Sequence, residues 1–238
     1  MKRLQESQEG IMWNRKLITV GAAALGLLYV AASHAIAGLI YIKDTWKTDG
    51  RIFKVRAYTP EYRKRMEEIC IATASEKART DAVHGEFTKK MYCDLYLDHG
   101  IGMMLVDDTE QAVGYVLAAK DIGTFLQKSK EDRKAITDLG EYYTKRAEAE
   151  WDGYLQYAED YPAHLHIDIL EDYTGHGNGS HLMQDMLKEL KAQGVKGVML
   201  GVAKSNERAI AFYQKNGFTV LEESEGGYAM GIRLQEEK

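Results

Sequence analysis

His164-Leu165-His166-Ile167-Asp168-Ile169 runs through Leu170-Glu171-Asp172-Tyr173-Thr174 into Gly175-His176-Gly177-Asn178-Gly179-Ser180. The first six residues alternate polar and apolar side chains, the period of a strand. Beyond the glycines, Leu182, Met183, Met186, Leu187 and Leu190 recur at helical spacing, and Gly194 supplies a stop. A strand, a glycine turn and a helix in that order have a direct physical use. Glycine adopts positive φ and lets another group approach the backbone closely. The unpaired N–H groups of the helix's first turn then point at that group, and the helix dipole favours an anion there. The segment reads as a cradle for a pyrophosphate.

Dinucleotide folds and P-loops rest on the same physics, so the neighbouring sequence has to discriminate. The lysine of a P-loop is missing, because Gly179 is followed by Ser180-His181. A dinucleotide turn opens near the first strand of a βαβ run, with an acidic residue about twenty positions later. Here the glycines come late, after two strands predicted at 103–106 and 112–117 that the acidic turn Asp107-Asp108-Thr109-Glu110 would join as an antiparallel hairpin. Downstream, Val195-Lys196-Gly197-Val198-Met199-Leu200-Gly201-Val202 is a near-continuous buried strand. Asn206-Glu207-Arg208-Ala209-Ile210-Ala211-Phe212-Tyr213-Gln214-Lys215-Asn216-Gly217-Phe218 follows, and 219–221 and 228–234 fit a last hairpin.

This succession resembles the GNAT acetyltransferase superfamily, in which an asparagine opens a short helix containing AxxFY and a GF pair leads into the final hairpin. The ordered match covers 164–218. The string YPAHLHIDIL, the long helical stretch before it and the LGVA-x-x-N run resemble a narrower group, bacterial acetyltransferases related to the acetyltransferase-like C-terminal domain of O-GlcNAcase. Glycoside hydrolysis is not implied, since a hydrolase domain would need far more chain. The resemblance implies an α/β fold: a mixed, mostly antiparallel sheet flanked by helices. It implies acetyl-CoA as donor substrate, an amine as acceptor, and direct transfer through a tetrahedral intermediate with no covalent enzyme intermediate and no metal.

It also implies roles. The backbone of Ile167, Asp168, Ile169 and Leu170 would pair with the pantetheine arm like an added strand, and the amides of Gly175, His176, Gly177, Asn178, Gly179 and Ser180 would hold the pyrophosphate. Asn206 would orient the cofactor arm or serve only as a helix cap. Tyr213 matches the tyrosine that protonates the departing thiolate; otherwise it is a buried aromatic beside Phe212. Two residues depart from the pattern: Thr174 stands where Gln or Arg is usual, and Asn178 replaces an apolar residue. For the general base, His164, His166 and Asp168 share one strand face. Asp168 is the first choice, because the narrower group carries an aspartate in that strand, and His166 the second. A purely structural row of hydrogen-bonded side chains is the alternative. Two rival functions stand beside it: a module that holds acetyl-CoA with slow transfer or none, and a membrane or assembly role in which the N-terminal helix matters most and the domain is an interaction platform.

Working outward, 51–58 alternates as a first strand, and Thr59-Pro60-Glu61-Tyr62 reads as the start of a helix over 63–74. A second helix or irregular arm spans 79–98. The stretch 124–161 carries Ile136, Leu139, Tyr142, Tyr143, Trp151, Tyr154 and Leu155 at helical spacing, which predicts one or two amphipathic helices: a surface insert, or a lid over the cleft. Glu222, Glu223 and Glu225 are a solvated turn or an attraction for a cationic acceptor.

The N-terminal end reads differently. Residues 17–42 (LITVGAAALGLLYVAASHAIAGLIYI) carry no formally charged side chain and are long enough to cross a bilayer. Trp13, Tyr41 and Trp46 stand where interfacial aromatics would. The expected organisation is an N-terminal flank 1–16, a transmembrane helix 17–42, a linker 43–50 and an acetyltransferase domain 51–238. A buried core helix and a cleaved signal peptide are the alternatives. Because the donor is a cytosolic metabolite, the expected product is a single-pass protein with the catalytic domain facing the cytoplasm. Ala22-x-x-x-Gly26 would let two such helices pack as a homodimer. The bulk net charge of −5 argues against nucleic acid as a partner. Cys70 and Cys93 lack metal or CxxC spacing and read as free core thiols.

Overall fold

The computed structural model describes residues 42–235. Strand β1 (Ile42–Thr48) pairs with β2 (Arg51–Ala57) across Asp49-Gly50. Both turn residues hold positive φ, 47° and 78°, as a two-residue hairpin turn requires. The segment 43–50, expected to be a linker, is thus the first strand of the sheet and its turn. The flank 1–16 and the apolar run 17–42, its last residue apart, lie outside the described residues. Among the described residues, no helix is long and apolar enough to cross a membrane.

After a proline-initiated turn comes α1 (Arg63–Thr73), then α2 (Glu76–Thr80) and α3 (Ala82–Lys89), capped by Ser75 and Asp81 through their side-chain oxygens. A π-helical turn (Lys90–Asp94) joins α3 to α4 (Leu95–His99). Strands β3 (Ile101–Val106) and β4 (Ala112–Ala119) form the predicted antiparallel hairpin. Then come α5 (Ile122–Lys128), α6 (Lys134–Thr137) and α7 (Glu141–Leu155). Strand β5 (Ala163–Ile169), helix α8 (Asn178–Ala192), strand β6 (Gly197–Ala203), helix α9 (Glu207–Lys215) and the hairpin of β7 (Thr219–Glu223) and β8 (Gly227–Arg233) complete the domain.

The eight strands form one sheet in the order β1-β2-β3-β4-β5-β6-β8-β7. Most neighbours run antiparallel; β5 and β6 are parallel. This is the mixed, mostly antiparallel architecture that the sequence predicts. Alternation along β3–β5 separates two cores, one on each face. Tyr115, Leu117, Met104 and Val106 point at α1 and α3–α7, where Met66, Phe87, Tyr96 and Trp151 meet them. Met103, Leu105, Val116 and Leu165 point at the α8 stripe of Leu182, Met183, Met186 and Leu190.

The stretch 124–161 corrects the expectation of a surface insert. Ile136, Tyr143, Ala147, Trp151 and Tyr154 are buried members of the first core, while Tyr142 and Leu155 stay exposed. Its aromatics close one face of the sheet.

Candidate functional site

The parallel pairing of β5 with β6 lasts for two registers, Ala163↔Val198 and His164↔Met199, and then the strands diverge. On its other side β5 stays paired with β4 as far as Ile169. The β6-facing edge of β5 from Leu165 onward therefore keeps backbone donors and acceptors that no strand uses, an arrangement suited to an extended ligand carrying amides of its own. Ile167, Asp168, Ile169 and Leu170 line a cavity of about 700 Å³ in front of this gap.

The floor of that cavity carries Asp168. The Tyr115 hydroxyl donates to its Oδ2 at 2.6 Å from the neighbouring strand. Burial raises the Asp168 pKa, since an enclosed carboxylate loses its water; the bonds from Tyr115 and Thr73 partly oppose that. Tyr213 lines the same cavity from α9. Burial pushes its phenol pKa well up, and the charge of Asp168 adds to that, so Tyr213 is held protonated at neutral pH. Sequence reasoning brought Asp168 and Tyr213 forward separately; the structure puts them in one chamber.

His166 stands outside the cavity lining. Its ring packs edge-on against Tyr92 and Tyr96, at 5.1 and 4.7 Å, and Nε2 is buried with no hydrogen-bond partner. Burial drives its pKa down to about 3, and it does not line the cavity. His164 shares that face: its Nδ1 meets the Tyr96 hydroxyl at 2.9 Å, and its ring stacks on Tyr154 at 3.7 Å. The polar row is thus split: His164 is sealed into aromatic packing, His166 is half-buried against Tyr92 and Tyr96, and Asp168 lines the cavity.

The glycine turn ends in Gly177, the N-cap of α8, with φ of 81° in the left-handed region. At Gly179 a Cβ would stand 3.0 Å from the Phe212 ring, so a larger residue there would press on α9 where it approaches α8. Gly175, Gly177, Gly179 and Ser180 line the cavity; His176 and Asn178 do not. Asn178 is fully buried, and its amide donates to the Tyr173 carbonyl at 2.9 Å. His176 Nδ1 lies 2.6 Å from Asp49 Oδ2. Both side chains are thus engaged on the side of β1 and its turn, outside the cavity lining. Asn206 lines the cavity, and its side chain caps α9 by accepting from the Ala209 amide at 3.1 Å.

Several lining residues escaped the sequence reading. Ala72 and Thr73 at the end of α1, and Arg79 on α2, come from nearly a hundred residues away. No local pattern marks them. Arg208 is the second residue of α9; its guanidinium pairs with Glu171 at 2.8 Å and donates to the Thr174 hydroxyl. A cation from α9 thus stands beside Thr174, paired with Glu171. Two members of the acidic run are paired within the chain: Tyr157 donates to Glu222, and Lys204 pairs with Glu223 at 2.6 Å.

Against known proteins, residues 71–218 match the model of the acetyltransferase (GNAT) family. Among solved structures, SsHAT is 26% identical with a TM-score of 0.67, over 77% of this chain and 99% of that one. A GNAT-family acetyltransferase from Listeria monocytogenes 4b F2365 shares the fold at 16% identity and a TM-score of 0.51, over 80% and 99% of the two chains. The PaiA N-acetyltransferase of Thermoplasma acidophilum, solved in complex with coenzyme A, does so at 14% identity and 0.52, over 76% and 98%. The matched stretch takes in the diverging strands, the glycine turn and α9 together, and the chain belongs to the acetyltransferase (GNAT) family of enzymes.

Proposed function

We propose that this enzyme moves acetyl from acetyl-CoA directly to an amine, with Asp168 accepting the amine proton and Tyr213 returning one to the departing sulfur. The observation that carries the reading is that both groups line one cavity at the mouth of the β5–β6 gap. The residues present suit the donor. The free edge of β5 offers amides and carbonyls to the pantetheine arm, and the turn at Gly175, Gly177 and Gly179 presents bare backbone to the pyrophosphate. Bound there, acetyl-CoA supplies the activated acyl group; the chain supplies position and proton traffic.

A base must be unprotonated to act, yet basic enough to take a proton. Enclosure moves the Asp168 pKa toward that compromise. As the nitrogen–carbon bond forms, the amine proton passes to the Asp168 carboxylate; as the carbon–sulfur bond breaks, the Tyr213 hydroxyl gives its proton to sulfur. Exchange with water resets both. Kinship with bacterial relatives of the O-GlcNAcase acetyltransferase-like domain, a membrane span at 17–42 with this domain on the cytoplasmic side, and pairing of spans through Ala22 and Gly26 belong to the same reading. The string at 161–170 supports the first, and the uncharged run and the identity of the donor support the span and its orientation.

Amine-dependent release of the CoA thiol by the full-length chain, across a panel of peptide amines, polyamines and amino sugars, tests the proposal. Asp168→Asn should lower kcat roughly 10²–10⁴-fold while acetyl-CoA still binds. The same variant should melt higher than the parent at neutral pH. A carboxyl whose pKa is raised by folding favours the folded state below its unfolded value, and that contribution is lost as pH rises through the folded value. The gap should therefore close in acid. Full activity of both Asp168→Asn and Tyr213→Phe would refute the assigned roles, and binding without any amine turnover would favour the binding module.

A further inference from the structure

The side of the glycine turn that faces away from the cavity is fastened, contact by contact, to the N-terminal hairpin. Trp46 on β1 donates from Nε1 to Asn178 Oδ1 at 2.8 Å. The same indole stacks on the His181 ring, centroids 4.1 Å apart and planes 10° from parallel. His181 Nδ1 meets Asp44 Oδ2 at 2.9 Å, and His176 Nδ1 meets Asp49 Oδ2 at 2.6 Å. Arg51 on β2 reaches the Asp172 carbonyl at 3.4 Å and lies over the Tyr173 ring at 5.1 Å. Between Gly175 and His181, every side chain larger than hydrogen except Ser180 is held by β1 or its turn.

A turn with two glycines, Gly175 and Gly177, that runs into a third in the first turn of α8 pays a large entropic cost to hold one conformation. Its amides are useful to an anion only if they already point the right way, because ordering them on binding subtracts from affinity. Contacts made from within the cavity would occupy the ligand's place. Contacts made from behind would not. Asn178 shows how this is built: fully buried, it joins the Tyr173 carbonyl at the turn's start to the Trp46 indole on the edge strand.

We infer that Asp44, Trp46 and Asp49 are positioning residues for donor binding: β1 and its turn clamp the pyrophosphate turn in its anion-receiving conformation. The inference rests on the reading that this turn holds the pyrophosphate. It also gives a use to the strand that joins the apolar N-terminal run to the domain, and to the asparagine that breaks the family pattern.

The test is calorimetric titration of CoA, with steady-state kinetics in acetyl-CoA, on the full-length chain and its Trp46→Leu, Trp46→Phe and Asp49→Asn variants. Val55→Ala, a cavity in the core of β2 away from the turn, serves as the comparison for general destabilisation. Trp46→Leu and Asp49→Asn should raise Kd and KM roughly five- to tenfold and leave kcat within about twofold, the size expected for one or two lost polar contacts. Trp46→Phe keeps a ring over His181 and should fall between. Variants that bind as tightly as Val55→Ala overturn the clamp. Should a variant fail to fold, amide exchange of the parent decides: CoA should slow residues 44–48 together with 177–181, and a β1 indifferent to CoA overturns the inference. A parent that binds no CoA overturns the donor-site reading beneath it, which is a separate result.

Discussion

The Tyr115 hydroxyl donates to Asp168 Oδ2 at 2.6 Å, from a side chain that is itself fully buried. Tyr115 cannot reach a substrate; it can only set the position and acidity of the carboxyl beside it. Its bond lowers the Asp168 pKa against the upward push of burial. Tyr115→Phe removes that bond at little cost in volume. The acidic limb of kcat/KM should then move to higher pH by about one unit, the worth of one hydrogen bond to a charged group. Activity should fall roughly tenfold on that limb and return as pH rises. A limb that stays in place would show that Asp168 is not the titrating base.

His166→Leu should leave the limb where it is. The imidazole is already neutral, its pKa pushed down to about 3 by burial, and its Nε2 has no partner to lose. The expected effect is a modest change in melting temperature without a change in the pH profile. A shifted profile would return His166 to the list of bases.

Arg208→Ala should weaken the donor without slowing the chemistry. The Arg208–Glu171 pair is largely exposed, with side chains 63% and 79% accessible, so it contributes little to stability and can open for a phosphate. KM for acetyl-CoA should rise roughly fivefold or more, with kcat near the parent value. Arg208→Lys should restore part of this, since Lys keeps the charge and loses the forked geometry.

Trp151→Ala should cost stability rather than catalysis. The indole is 5% exposed and carries the Arg133 guanidinium on its face at 4.6 Å. Truncation of a buried Trp costs about 3–5 kcal/mol. If 124–161 were a lid, the same variant would chiefly change KM for the acceptor; a stable protein with altered KM would contradict the core assignment. No residue of that stretch lines the cavity.

What could be read in the sequence follows the range of the forces involved. The β5 strand, the glycine turn and the α8 stripe are local patterns, and all of them stand in the structure as expected. The linker at 43–50 was misread although Asp49-Gly50 carries a hairpin signal and 44–48 alternates half-buried with exposed side chains. The adjoining apolar run drew that segment into a membrane pattern, and the contacts that hold β1 lie more than a hundred residues away on α8. His166 looked like Asp168 because period-2 alternation shows which face a side chain takes, not what covers it. The cover is Tyr92 and Tyr96, which fall in the span foreseen only as a helix or an irregular arm. Thr174 departs from the family pattern in a way no local reading could place, because the cation beside it, Arg208, sits on another element.

The central claim is that the turn ending in Gly177 receives the donor's pyrophosphate, and one comparison addresses it. Asn and Asp are nearly the same size and both tolerate the left-handed φ of 81° found there; they differ in charge. Acetyl-CoA titrated by calorimetry into full-length Gly177→Asn and Gly177→Asp separates charge from strain. The account predicts saturable binding by the parent, somewhat weaker binding by Gly177→Asn, and binding by Gly177→Asp at least about tenfold weaker than by Gly177→Asn, a difference of about 1.4 kcal/mol. Equal affinities of the folded Asn and Asp variants would place the pyrophosphate elsewhere and contradict the account.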